Sequence, residues 1–240
     1  MRFDGVRVVS FSGIDGAGKS TQIEAFQQYL QNTGVRSELL TFWDDVVALP
    51  QFRERMSFSV FKGDKGIGSP DRPIVRRDKN VTSWYVLVAR FFFYVLDALR
   101  LRVVISQIAS AENQVVIFDR YLYDELANLP LQYRAARFYI WLLLKIVPKP
   151  DLALLIDADP AAACLRKPEY PLEFVQHNRD AYLRLAPIVG MTVLPPLSIA
   201  RTSETITGAF SSMCLRTGPE PRGMHRESPA ASGSVSPHIG

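Results

Sequence analysis

Two cysteines and three histidines are all that 240 residues supply of the side chains that most often hold metals or act as nucleophile and base. Cys164 and Cys214 stand far apart and form no C-x-x-C, so neither a disulfide framework nor a zinc site is indicated. Reduced cysteines of this kind fit a cytoplasmic protein, which is the expected location. His177 is the only histidine before residue 217, since His225 and His238 both fall later, and a histidine triad or cluster is excluded with it. Long apolar runs are missing as well. The most hydrophobic stretch, 84–105, is broken by Arg90, Asp97, Arg100 and Arg102, and 138–144 is too short for a span that needs about 20 apolar residues. Arg2 and Asp4 lead straight into a strand-like segment, without the pattern of a signal peptide. No membrane partner is expected. A net charge of only +4 suits a few arginines around one cleft better than the dense basic face of a nucleic-acid binder, so no nucleic acid is expected either. No Asn-Lys-x-Asp guanine reader occurs, which disfavours a GTPase switch.

What the chain does have is Gly13-Ile14-Asp15-Gly16-Ala17-Gly18-Lys19-Ser20-Thr21, which fits G-x-x-x-x-G-K-[ST]. Residues 6–11 before it are β-branched and aromatic, and Ile23, Phe26 and Leu30 after it recur at helical spacing within 21–32. Strand, glycine turn and helix together predict a phosphate-binding loop. Backbone N–H groups of Gly13, Asp15, Gly16, Ala17 and Gly18, with Ser20 and Thr21, would surround the phosphates of a nucleoside triphosphate at a helix N-terminus. Lys19 would reach the β- and γ-phosphates, and the Ser20 hydroxyl would ligate Mg²⁺.

Strands alternate with helices along the rest of the chain: strands at 35–42, 114–118, 152–156 and 191–194, helices at 82–111, 131–146, 173–186 and 203–214. A helix start is also marked at Asp159-Pro160 by an N-cap followed by proline. This predicts an α/β fold with a parallel five-stranded sheet flanked by helices and a ligand site at the strands' carboxyl ends. Residues 43–60 read as mixed, with helix around 50–61, and 62–80 as a long loop. Half of the residues in 217–240 are Gly, Pro or Ser, so this segment reads as a disordered tail. The expected division is one domain over 1–215 and the tail over 216–240.

Asp119-Arg120-Tyr121 closes the third strand, at the same edge as the phosphate loop. Asp119 can hold the hydration shell of Mg²⁺ or orient an acceptor, and Arg120 can grip a phosphate through two nitrogens.

These motifs resemble the thymidylate kinase family of P-loop nucleoside monophosphate kinases. The resemblance is carried by residues 12–22, by Val116-Ile117-Phe118-Asp119-Arg120-Tyr121 with Leu126-Ala127 at the family's spacing, by Leu155-Ile156-Asp157-Ala158-Asp159-Pro160 leading to Arg166, and by Arg179-Asp180-Ala181-Tyr182-Leu183-Arg184-Leu185-Ala186. It implies a P-loop kinase fold with a short lid at about 166–180, transfer of the ATP γ-phosphoryl group with Mg²⁺, dTMP as the default acceptor, and a homodimer. Those enzymes place a catalytic basic residue either in the phosphate loop or in the lid. Gly16 at the loop position makes this chain resemble the lid type, with Arg166, Lys167 and Arg179 as candidates beside Lys19, Asp119 and Arg120. The resemblance further implies acceptor contacts from Asp15, Arg120 and Tyr121. Arg100, in the loosely matched Asp97-Ala98-Leu99-Arg100, reads either as a reader of the base or as a plain helix-surface arginine, and Phe93 and Tyr94 read first as aromatic core packing, with stacking on a base as the other role.

Departures fall on the acceptor side. The family's phosphate-gripping Arg-Glu-Pro-Gly segment is replaced by Thr41-Phe42-Trp43-Asp44-Asp45, with Arg53 or Arg55 as possible substitutes. Its serine after Asp-Arg-Tyr is matched by Asp124, and its Tyr-Gln pair by Asn128-Leu129. Two other readings therefore stay open: a P-loop kinase of a nucleoside or another small acceptor, and a catalytically silent nucleotide-binding homologue.

Overall fold

The computed structural model describes residues 5–47, 84–108 and 113–216. The readings made for 48–83 and for the tail, including Arg53 and Arg55, lie outside them.

Five strands form one sheet: β1 (Val6–Ser12), β2 (Arg36–Thr41), β3 (Gln114–Asp119), β4 (Leu152–Ile156) and β5 (Thr192–Leu194). Their order is β2-β3-β1-β4-β5, and every pair is parallel. A central parallel strand is buried on both faces, which explains its near-continuous apolar composition. Successive side chains still alternate between two cores. Val9, Phe11, Val115, Ile117, Leu154 and Ile156 face one layer. Val8, Val116, Phe118, Ala153 and Leu155 face the other.

The first layer holds α1 (Lys19–Asn32) and α7 (Ile199–Arg216), whose Ile23, Phe26, Leu30, Ile206 and Phe210 cover the strands. Phe26 and Phe210 meet edge to face at 5.2 Å, an arrangement worth about 0.5–1.5 kcal/mol beyond area burial. The second layer holds α2 (Trp84–Ile108), α3 (Leu122–Leu126), α4 (Arg134–Leu143) and α6 (Leu172–Val189). A short α5 (Pro160–Arg166) follows β4.

Local signals set the ends of these elements. Helix α1 stops at Gly34, whose φ of 73° is left-handed. Gly34 N–H donates to Gln31 O at 3.0 Å and Val35 N–H to Leu30 O at 2.9 Å, satisfying carbonyls of the last turn. Asp159 caps α5, its Oδ1 accepting from Ala162 N–H at 2.8 Å, with Pro160 in the first turn. Other boundaries move by a few residues: α4 is shorter than 131–146, whereas α6 and α7 outrun 173–186 and 203–214. Pro187 lies in the last turn of helix α6, ahead of Gly190, where it removes one backbone hydrogen bond. Two differences are of kind. Phe42, expected to end the second strand, instead opens one π-helical turn over Phe42–Val46, and α3 has no counterpart in the periodicity.

The register sets Phe11 beside Asp119 and Ser12 beside Leu155. The turns after β1, β3 and β4 therefore converge on one edge, where a parallel sheet binds its ligands.

Candidate active site

The phosphate loop is built against β4 and α5. A Cβ on Gly16, at φ 78°, would collide with the backbone carbonyl oxygen of Ala163 in α5. The glycine that removes a basic side chain from the loop is thus also the residue that lets α5 approach it. Helix α1 begins at Lys19 with no side-chain cap on its free N–H groups and no acidic residue in its first turn, leaving the positive helix end open to an anion. Ser20 and Thr21 are exposed there.

Lys19 is buried, and its Nζ donates to Gly13 O and Ile14 O, both at 2.9 Å. Burial first, and the Arg120 charge second, lower its pKa from 10.5 to about 8. An ammonium held in this way is poorly compensated and ready to take a stronger anionic partner.

Asp119 closes β3, and its Oδ1 is fully buried without a hydrogen-bond partner among the described residues. Orphaned carboxylate oxygens are costly and call for an explanation. A cation shared with the exposed Ser20 hydroxyl and nucleotide phosphates provides one. No group of three or more His, Cys, Asp or Glu side chains forms a metal site of its own among the described residues.

Arg120 has a left-handed backbone, φ 69°, and its N–H donates to Phe11 O at 2.9 Å. Its guanidinium reaches across the edge: Nη2 donates to Asp15 Oδ1 in the phosphate loop, and Nη1 lies 3.5 Å from Asp124 Oδ1. Asp124 is buried and accepts three shorter bonds, from Ser12 Oγ (2.6 Å), Tyr121 N–H (2.9 Å) and Tyr182 OH (2.7 Å). Burial holds the Tyr182 hydroxyl well above its usual pKa, so it stays a donor.

Arg179 of α6 is forked onto Asp157, just past β4, with Nε to Oδ1 at 2.6 Å and Nη2 to Oδ2 at 2.7 Å. The hydrogen bonds to this carboxylate raise the guanidinium's pKa further. Ile14, Asp157, Arg179 and Tyr182 border one small cavity, which sets Arg179 near the loop's base. Arg166 is exposed at the last turn of α5, and Lys167 pairs with Glu169 at 3.3 Å.

One expected contact is not made. Tyr121 does not face the cleft: its ring is fully buried against Phe118 and Tyr123, and its hydroxyl donates to Pro148 O. Phe93 and Tyr94 are buried, in keeping with their reading as core aromatics. Arg100 is exposed on α2, and no hydrogen bond or ion pair among the described residues joins it to the loop. Ser12, Asp124, Asp157 and Tyr182 complete the site and were not expected in it. Asp124 was visible in the sequence only as the residue at the family's serine position and as one of two acids in the otherwise apolar run 121–127, where burial demands a partner.

A glycine-rich loop between a central parallel strand and a helix, with Asp-Arg on the neighbouring strand, defines the P-loop kinase fold. No family model matches the chain. A probable thymidylate kinase from Methanosphaera stadtmanae is 24% identical over 181 residues, covering 74% of this chain and 82% of that protein. Another, from Methanobrevibacter smithii, is 26% identical over 181 residues, covering 74% and 79%. The crystal structure of thymidylate kinase from Ehrlichia chaffeensis superposes with a TM-score of 0.56 at 19% identity, over 86% of this chain and 99% of that one. The chain is thus similar, at 24–26% identity over 74% of its length, to proteins named probable thymidylate kinase, and it shares the fold of a thymidylate kinase. Among its described residues no helix is long and apolar enough to cross a membrane.

Proposed function

We propose that this protein is a nucleoside monophosphate kinase that uses Mg²⁺ and ATP, with dTMP as the default acceptor. The observation that carries the reading is the meeting of an uncapped helix start, a buried and poorly compensated Lys19 and the orphaned oxygen of Asp119 at one strand edge. Backbone N–H groups of residues 13–18 cradle the β-phosphate. Lys19 exchanges the Gly13 and Ile14 carbonyls for the β- and γ-phosphates, where its charge counts most as the γ-phosphoryl group moves. Ser20 and Asp119 would hold Mg²⁺, which supplies charge neutralisation across those phosphates. Arg120 turns from Asp15 to the acceptor phosphate. Arg179, and Arg166 at the end of α5, serve as the lid's cations over about 166–180, and closure keeps water from the transferring group. Homodimerisation and a cytoplasmic location belong to the same proposal.

A second reading keeps the ATP site and takes a nucleoside as acceptor. It is favoured by the end of β2, where Asp44 and Asp45 are exposed and Asp45 caps Thr41 N–H at 2.6 Å. Acids there repel an acceptor phosphate, at a cost set by distance and screening. A coupled ADP-release assay across nucleoside monophosphates and nucleosides tests both readings. The first expects turnover of monophosphates, dTMP included, with a dTMP KM above about 1 mM, the upper end of the usual range. Turnover of nucleosides alone overturns it in favour of the second. Micromolar KM for dTMP removes the acidic pair's role, and no transfer to any acceptor leaves the silent homologue.

A further inference from the structure

We propose that Asp124 is a positioning residue that holds the Arg120 guanidinium in a fixed fork with Asp15 and ties it to both the phosphate loop and α6. The proposal rests on the phosphotransferase reading above. Asp124 receives donors from three separate segments. Ser12 is the residue before Gly13, Tyr121 N–H belongs to the arginine turn, and Tyr182 lies on α6 three residues beyond Arg179. With Arg120 as the fourth donor, both carboxylate oxygens are occupied, near the full capacity of an ionised carboxylate.

The backbone of Arg120 is already fixed by its N–H bond to Phe11 O. What remains is the side chain, and there two carboxylates pull on opposite nitrogens, Asp15 on Nη2 and Asp124 on Nη1. Without the second pull the arginine is free to collapse onto Asp15 and lose the orientation needed for an acceptor phosphate. The serine that the family carries at this position has neither the charge to counter an arginine nor room for four donors.

Asp124→Asn keeps the shape and an acceptor for Tyr121 N–H while removing the charge that faces Arg120. Two readouts apply. In ¹⁵N NMR of the arginine side chains, assigned against Arg120→Lys, the Arg120 guanidinium should be slow to rotate and exchange in the native protein and averaged in Asp124→Asn. In steady-state kinetics the acceptor KM should rise at least tenfold with the ATP KM within twofold. Asp124→Asn should add little further in an Arg120→Lys background, since coupled residues are not additive. Damage to folding alone would lower kcat through the active fraction and leave both KM values in place. Unchanged Arg120 signals, or a loss confined to kcat, overturn the proposal. Asp124→Ser carries the same test should the Asn variant not fold. If the native protein transfers to no acceptor, the functional reading fails and the NMR result alone decides the role of Asp124.

Discussion

Replacing Lys19 by methionine should destroy activity and stabilise the fold. Methionine matches the length of lysine and forms helix about as well, so the start of α1 is preserved. The buried ammonium is the destabilised group. A fall in pKa from 10.5 to about 8 corresponds to about 3 kcal/mol of penalty on the charged form, at about 1.4 kcal/mol per tenfold. Losing the two bonds to Gly13 O and Ile14 O offsets about 1 kcal/mol each, the typical net value of an intramolecular hydrogen bond. A net gain of about 1–2 kcal/mol is left, which in a domain of this size is about 2–8 °C in Tm. The pH dependence fixes the sign. Below pH 8 lysine is protonated in both states and the penalty is complete. Between about 8 and 10.5 the unfolded chain binds a proton that the folded one has released, so wild-type stability climbs with pH. The Met variant lacks that slope, and its advantage should shrink from pH 7 to pH 10. Thermal melts of both proteins over this range, without nucleotide, with ADP release measured alongside, check every step. A Met variant that melts below wild type at pH 7, or an advantage unchanged at pH 10, would refute the argument.

Gly16→Ala should cost at least 1–2 kcal/mol from the left-handed backbone alone, with more from the collision against Ala163 O; a Tm equal to wild type would mean that the loop and α5 are not packed as described. Arg179→Ala should lower kcat more than it weakens ATP binding, by up to about 10³-fold if it stabilises the transition state, and Arg166→Ala should act in the same direction; unchanged kcat in both and in the double variant removes the lid cations. Asp119→Asn should raise the Mg²⁺ concentration for half-maximal rate by about tenfold or more, since a carboxylate oxygen is the harder ligand. A Mg²⁺ titration that superimposes on wild type would take Asp119 out of the metal site.

The parts of the fold that a linear sequence could show are those set by local rules. The phosphate loop, the buried strands around Phe11, Ile117 and Leu154, the Asp159 cap and the turn at Gly34 each depend on neighbours within a few residues. Helix α3 was hidden because five residues hold barely one turn, too few for a period to emerge. Tyr121 was misplaced for a related reason: a residue beside Asp-Arg is near the site along the chain, but its side chain turns to Pro148 O and the core. The pairing of Arg179 with Asp157, and of Asp124 with Ser12 and Tyr182, joins positions far apart in the sequence, and only the assembled layers bring those partners together.

The strand order has a consequence for the time the chain spends being made. Strand β1 lies in the middle of the sheet, yet its two partners are β3 and β4, which begin about a hundred residues or more further along. At a synthesis rate of about 5–20 residues per second, the segment Val-Arg-Val-Val-Ser-Phe waits roughly 5–20 seconds on the ribosome before its first partner exists. During that interval β2 cannot shield it, because among the described residues β2 pairs only with β3. A sticky, β-branched segment is thereby left to chaperones or to other nascent chains. Protein yield from cells should accordingly respond to translation speed and holdase supply, even where the melting temperature of the finished molecule does not change.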